Sequence, residues 1–379
     1  MKSNRITSVD IFRGMTIAFM ILVNTPGTWS HIYWPLDHAK WNGITPTDWI
    51  FPFFLFIVGT SIVLAYHKKK TDAKVYKKII TRSFKIILIG LLLAGFNYHF
   101  PFFKNISHLR FPGVLQRIGV VFFVTALLFA KIKNWKFYLI ILPVILLGYW
   151  YAMTQINING EKPKLTKTNN LASVIDRAVF GKNHMWKHYE ETGYVQGDYD
   201  PEGLFSTLPA IATSILGIFL GLILVNTRIS PYTKTIMFLA IGLILFLLGL
   251  FWSHYFPLNK RLWTSSYVLY TGGLAFFFYG IIYLIADVLN YKKWSSIFIY
   301  LGSNAILIFT LSVFIAKSFY LLKMPGTKHT IHGWIYHNLY VVPLGSSNEL
   351  SSFLYALSVV VFYIFVAWWF YRKKIFIKV

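Results

Sequence analysis

The chain has 379 residues, 56% of them hydrophobic and only 13% charged, with a mean hydropathy of +0.55. A soluble domain carries about twice that share of charge, so a water-soluble globular fold is excluded. The chain has no cysteine, which removes disulfides and thiolate metal sites, and its net charge of +24 points to basic loops facing anionic lipid and cytoplasm, with no nucleic-acid motif present.

Apolar runs of about 20 residues recur along the whole length, which predicts an all-α, polytopic membrane protein of about ten transmembrane helices. The first run, 9–23, carries Asp10 and Arg13 at i and i+3, where they can pair on one helix face. Asn24 ends it, with Thr25-Pro26-Gly27 as the stop. A short polar loop follows, crowded with His31, Asp37, His38, Trp41, Asn42 and Asp48. Ionisable groups at a membrane edge are costly, so this loop is the first place to look for a site. Thr45-Pro46-Thr47-Asp48 reads as a capping-box start for the second span, 49–66.

Lys68-Lys69-Lys70, followed by Lys74, Lys77, Lys78 and Arg82, is the strongest positive-inside signal in the chain. It predicts that residues 67–82 and both termini are cytoplasmic, and that residues 28–46 are external. The third span is predicted at 84–98. The fourth starts near Pro112 and carries Gln116 and Arg117, and the fifth is 137–153. Residues 154–203 form one long polar segment, external by alternation, in which Trp186 and Tyr199 accompany Asp198, Asp200 and Glu202. Aromatics beside acids suit a sugar, by stacking and hydrogen bonding. Further spans are predicted at 204–225, 235–252, 267–288, 297–316 and 353–370. Gly217 and Gly221 in the sixth favour close helix packing, and the ninth contains Gly302-Ser303-Asn304. His329, His332 and His337 are too loosely spaced, with no adjacent carboxylate, to read as a metal site, so no metal is expected.

Several blocks of residues together resemble the heparan-α-glucosaminide N-acetyltransferase family and its bacterial homologues. They are Val9-Asp10-Ile11-Phe12-Arg13-Gly14, Asn24, His38-Ala39-Lys40-Trp41-Asn42-Gly43 and the run from Asp48 to Gly59. Later matches are Gly113-Val114-Leu115-Gln116-Arg117-Ile118, Asp200-Pro201-Glu202-Gly203, and Asn259-Lys260 with Leu262-Trp263-Thr264-Ser265. The resemblance covers nearly the whole chain. It implies a single transmembrane acyltransferase domain over 1–379 that moves acetyl from cytoplasmic acetyl-CoA to the amino group of an amino sugar at or beyond the membrane. It also implies that His38 is the active-site histidine and Asn24 its neighbouring asparagine. Because the chain opens directly on its first basic segment, without the lumenal domain and extra first span of the lysosomal member, a free, oligomeric or cell-wall-derived amino sugar is expected rather than heparan sulfate. The expected location is the bacterial inner membrane, with lipid and a second copy of the chain (a homodimer) as further partners.

The residues suit that chemistry. Acetyl transfer needs a neutral amine, and an imidazole near pKa 7 is a suitable base. An asparagine amide such as Asn24 can donate to the thioester oxygen, and Asp48 can orient His38. Arg13 and Arg5 are expected to hold the CoA phosphates at the inner face, with Arg117 as a further candidate. Trp41, Asn42, Asp200, Glu202, Asn259 and Lys260 are expected to bind the acceptor. A transporter or flippase for a glycan or lipid-linked intermediate is the alternative from a different class.

Overall fold

The structure, a computed structural model, describes residues 6–98, 102–158, 160–190 and 193–377. It is all-α apart from one two-stranded hairpin. Helix α1 (Thr7–Asn24) is followed by α2 (Ile50–Tyr66), α3 (Ala73–Gly95), α4 (Val114–Lys131) and α5 (Trp135–Gln155). The polar segment after α5 folds into α6 (Leu171–Phe180) and an antiparallel hairpin of β1 (Lys187–Glu190) and β2 (Gly193–Gln196). Next come α7 (Thr207–Val225), α8 (Pro231–Ser253), α9 (Ser265–Tyr283), α10 (Ser296–Ser303) and α11 (Ala305–Leu321). The short α12 (Ile331–Tyr336) and α13 (Val342–Leu344) lead to α14 (Glu349–Arg372).

Among the described residues, eight helices are long and apolar enough to cross a membrane, and α10 with α11 makes a ninth if the bent pair crosses as one span. That pair is bent by 71° at Asn304, so the predicted ninth span is broken rather than continuous. The Asn304 side chain binds the C-terminal tail at the break, donating to the Ile375 carbonyl at 2.9 Å and accepting from the Ile377 amide at 3.0 Å. The predicted third span overlaps the 23-residue α3, which both starts and ends earlier than expected. The lysines and arginine of its first three turns make α3 amphipathic and keep it out of the apolar set.

Two seams bring backbones into contact. A Cβ on Gly59 of α2 would lie 1.8 Å from the Ser214 carbonyl oxygen of α7, and one on Gly217 of α7 would lie 1.8 Å from the Phe56 carbonyl oxygen. A Cβ on Gly14 of α1 would meet the Phe298 carbonyl of α10 at 1.8 Å, and Gly302 returns the contact against Asp10. This is the small-residue packing that membrane helices use in place of a hydrophobic driving force. The amides of Thr7 and Ser8, which start α1 and have no partners within it, donate to the Asp287 carboxylate at 3.1 and 3.0 Å.

The connections segregate into two ends. At one end the Gly43 amide bonds the Leu258 carbonyl, Trp41 bonds the Leu165 carbonyl, Arg110 bonds Asp200, and the Gly27 amide bonds the Ser352 carbonyl. At the other, Lys133 donates to the His67 carbonyl and Thr71 to that of Ala130. The loops predicted to be external thus meet in one cap, away from the lysine-rich turns.

Candidate functional site

The loop after α1 is held by its own polar side chains. The Thr45 hydroxyl donates to the Asp37 carbonyl at 2.6 Å and Thr47 to that of Pro35 at 3.0 Å. Thr45 and Asp48 form the predicted capping box at the 3-10 turn Pro46–Trp49 that opens α2. Asp48 is 1% exposed, and an ionised carboxylate that deep must be fully bonded. Its Oδ2 accepts the amides of Thr45 at 3.1 Å and Ala39 at 3.2 Å. Its Oδ1 lies 2.8 Å from His38 Nδ1 and 3.3 Å from Lys260 Nζ. Tyr267 of α9 donates to the Asp48 backbone carbonyl at 2.6 Å. The cap that starts the helix therefore also orients the imidazole.

Lys260 comes from the α8–α9 turn. Within it the Asn259 side chain accepts the Leu262 amide at 2.9 Å, and the Asn259 amide donates to Thr264 Oγ1 at 3.1 Å. Asn259 Nδ2 also donates to Asn42 Oδ1 at 3.0 Å, which ties this turn to the His38 loop. Lys260 Nζ then sits 3.1 Å from Nδ1 and 3.5 Å from Nε2 of His38.

His38, Asp48 and Lys260 line a cavity of about 200 Å³, together with Ala39, Trp41, Trp186, Pro201, Glu202, Arg261 and Trp263. Three indoles, two carboxylates and two cations around a space on the scale of one sugar ring suit a polar, ring-shaped ligand. Arg261 lies over the Trp186 and Tyr199 rings at 5.7 and 5.8 Å and donates to the Tyr199 hydroxyl. Burial, and then the Lys260 charge, push the His38 pKa below its ordinary value, against the opposing hydrogen bond to Asp48. Burial lowers Lys260 as well, while Asp48 and Glu202 hold it up.

Behind the cavity wall lies a second polar cluster. Arg110 grips Asp200 with two nitrogens, Nε at 2.9 Å and Nη2 at 2.6 Å, and reaches Glu202 Oε2 at 2.6 Å. Burial pulls the Arg110 pKa down, but Asp200 and Glu202 outweigh it and raise it. Arg117 of α4 donates to the Gly203 carbonyl at 3.0 Å and to Ser206, with its guanidinium 5.1 Å from the Trp263 ring centre. These two arginines fix the 200–206 turn, whose Pro201 and Glu202 face the cavity.

The structure thus brings together His38, Asp48, Lys260, Trp41 and Glu202, and it departs from several sequence expectations. Asn24 is exposed at the end of α1 and is not among the lining residues. Asn42 and Asn259 bond each other, and Asp200 is committed to Arg110, so all three serve the frame rather than line the cavity. Arg117 is 2% exposed and shut in behind Trp263, in the same cap as the cavity. Arg13 donates to Asp10 at 3.3 Å and to Ser61 at 2.7 Å, near the other end of the molecule. Arg5 lies outside the described residues. Sequence reasoning left Arg110 and Arg261 without assigned roles, and Trp186, read there as a stacking surface for a sugar, lies on the cavity wall. The signal for Arg110 was its place in the same cap as two acids. Among the described residues no three His, Asp or Glu side chains converge as a metal site. His332 is instead stacked on Tyr320 at 4.0 Å.

The sequence profile described as "Heparan-alpha-glucosaminide N-acetyltransferase, catalytic" matches residues 5–249. The chain is 33% identical over 360 residues to the heparan-alpha-glucosaminide N-acetyltransferase of Mus musculus, covering 81% of this chain and 53% of that protein. It is 32% identical over 356 residues to that of Homo sapiens, covering 80% and 52%. The chain spans about half the length of these curated relatives.

Proposed function

Because the chain belongs to the heparan-α-glucosaminide N-acetyltransferase family, we propose that it is a transmembrane acetyltransferase that moves acetyl from acetyl-CoA to the amino group of an amino sugar. The observation that carries the reading is the His38–Asp48 pair, 2.8 Å apart, on the wall of a cavity lined by three indoles. A carboxylate has no proton to give, so the proton between them belongs to Nδ1 and the Nε2 lone pair is left as the base.

The acceptor amine attacks the thioester carbonyl. A C–N bond forms, the C–S bond breaks, the amine proton passes to Nε2, and from there to the departing CoA thiolate. Glu202 at the cavity wall suits a cationic amino sugar before it is deprotonated, and Trp41, Trp186 and Trp263 suit the faces of its ring. The cavity is too small for all of CoA. A pantetheine arm of roughly 20 Å covers much of a hydrocarbon core about 30 Å thick, so acetyl-CoA fits this reading by threading from the lysine-rich end. Between Arg13 and Asn24 α1 rises by about 16 Å, which makes Arg13 a suitable phosphate contact at the far end of that arm.

The orientation follows from charge. With the lysine-rich turns in the cytoplasm, both termini and residues 67–82 face inward, and 28–46 and 154–203 face outward, as in a bacterial inner membrane. Single cysteines placed at Lys70 and Lys182 of this cysteine-free chain test this. An impermeant maleimide added to intact cells should label only the second, and equal labelling overturns the orientation. For the activity itself, purified protein with acetyl-CoA and a panel of amino sugars should release CoA and N-acetylated sugar. If no sugar elicits CoA release while sealed vesicles take up solute, the chain is a transporter instead.

A further inference from the structure

The base in the proposed reaction has an unusual neighbour. An imidazole whose Nδ1–H faces a buried carboxylate ordinarily gains affinity for a second proton, because the negative charge favours imidazolium. At neutral pH that would fill Nε2 and disable it as a base. Here Asp48 Oδ1 is shared between His38 Nδ1 at 2.8 Å and Lys260 Nζ at 3.3 Å, and Nζ lies within 3.5 Å of both ring nitrogens. The lysine reaches the pair from the α8–α9 turn, 222 residues away in sequence, and that turn is braced by Asn259 against Asn42.

On the acetyltransferase reading above, we propose that Lys260 is a positioning residue: its ammonium offsets the Asp48 charge, so that Asp48 orients His38 without favouring its protonation and Nε2 keeps its lone pair. The groups facing His38 from each packed element bear this out in sign. Asp48 comes from the start of α2, Lys260 and Arg261 from the α8–α9 turn, and Glu202 from the turn before α7, while Asp37 accepts the His38 amide at 2.7 Å. The nearest pair of opposite charges cancels, and the second cation, Arg261, adds to the disfavouring of imidazolium. A lysine acting only as a sugar hydrogen-bond donor would not need to touch the imidazole and its carboxylate together.

The test separates this role from substrate binding and from the activity itself. In the detergent-purified full chain, His38 is titrated by the pH dependence of its modification by diethyl pyrocarbonate, read at the His38 peptide by mass spectrometry, with no substrate present. Only neutral imidazole reacts. In Lys260→Met the midpoint should rise by about one pH unit or more, because Asp48 is left unopposed. Lys260→Arg should restore it. The acid limb of kcat/KM for CoA release should move by the same amount in the same direction. A midpoint unchanged in Lys260→Met, or one raised equally in Lys260→Arg, overturns the proposal. Should Lys260→Met fail to fold, Lys260→Gln with the same titration replaces it. If the wild type releases no CoA with any amino sugar, the acetyltransferase reading fails, while the His38 titration still decides the role of Lys260.

Discussion

The cap holds two clusters of charge that meet at the cavity wall, and they are built to opposite ends. Around Asp200 and Glu202, two carboxylates face two arginines, Arg110 and Arg117. Arg110 is bidentate to Asp200, and Arg117 closes on the backbone of the same turn. Both carboxylates are paired by Arg110 in fixed geometry, and Asp200 has no exposed side-chain surface, while Arg117 keeps Nε and Nη1 buried without a hydrogen-bond partner. Around Asp48, one carboxylate is shared by an imidazole and an ammonium, and His38 keeps 34% of its side chain exposed, on the cavity side. The first cluster holds a turn in place. The second holds one titratable ring on the cavity wall, with a carboxylate and an ammonium both in contact with it. Perturbed ionisable groups mark both, so perturbation alone does not find an active site.

The sharpest way to break the comparison is to remove one member from each cluster. His38→Ala should lower turnover by about 10²–10⁴ while acetyl-CoA binding and thermal stability stay close to wild type. Full turnover of this variant with both substrates saturating would remove His38 from the chemistry. The pH profile of the wild type sharpens the same point. Burial and Lys260 hold His38 low, so the base is already free below its ordinary pKa, and the acid limb of kcat/KM should lie below pH 6.5. Arg110→Ala should behave in the opposite way. It strands two buried carboxylates and should cost about 3–5 kcal/mol of stability, seen as a lowered detergent melting temperature, with activity lost through the fold. Unchanged melting of Arg110→Ala would mean that the cluster is not the frame we describe.

The contrast also explains what could be read from the residues alone. The spans, the capping box at Thr45–Asp48 and the His38 loop were legible because each is local: a run of about 20 apolar residues, a four-residue cap, a single short loop. The break at Asn304 was visible only as Gly302-Ser303-Asn304, a string that also suits a packed seam, and Gly302 does pack against α1. The partnerships of Lys260 and Arg110 were not legible. Each joins residues 90 or more positions apart, and nothing in either local sequence says which acid the cation will meet. The placement of Asn24 was not legible for the reverse reason. It is close to His38 in sequence, but α1 carries it to a helix end outside the cavity wall.

The smallest expected effect lies at the seam between the clusters and the bundle. Asp176 of α6 is 1% exposed, and its Oδ1 accepts the amides of Leu204 at 2.8 Å and Phe205 at 3.3 Å, just before α7. Burial pushes its pKa up to about 6, against those two bonds. The folded state therefore holds this proton more tightly than the unfolded chain does. The stability it contributes is fully present below the unfolded carboxylate value and is lost as pH rises through about 6. The loss amounts to roughly 2–3 kcal/mol at most. Asp176→Asn keeps an oxygen for both amides and removes the titration. Its melting temperature relative to wild type should thus climb between pH 4.5 and 7 and level off above. A difference that stays flat over that range would show that Asp176 is ionised throughout, held by Arg117 across the turn, and would place it within the Arg110–Asp200–Glu202 cluster rather than beside it.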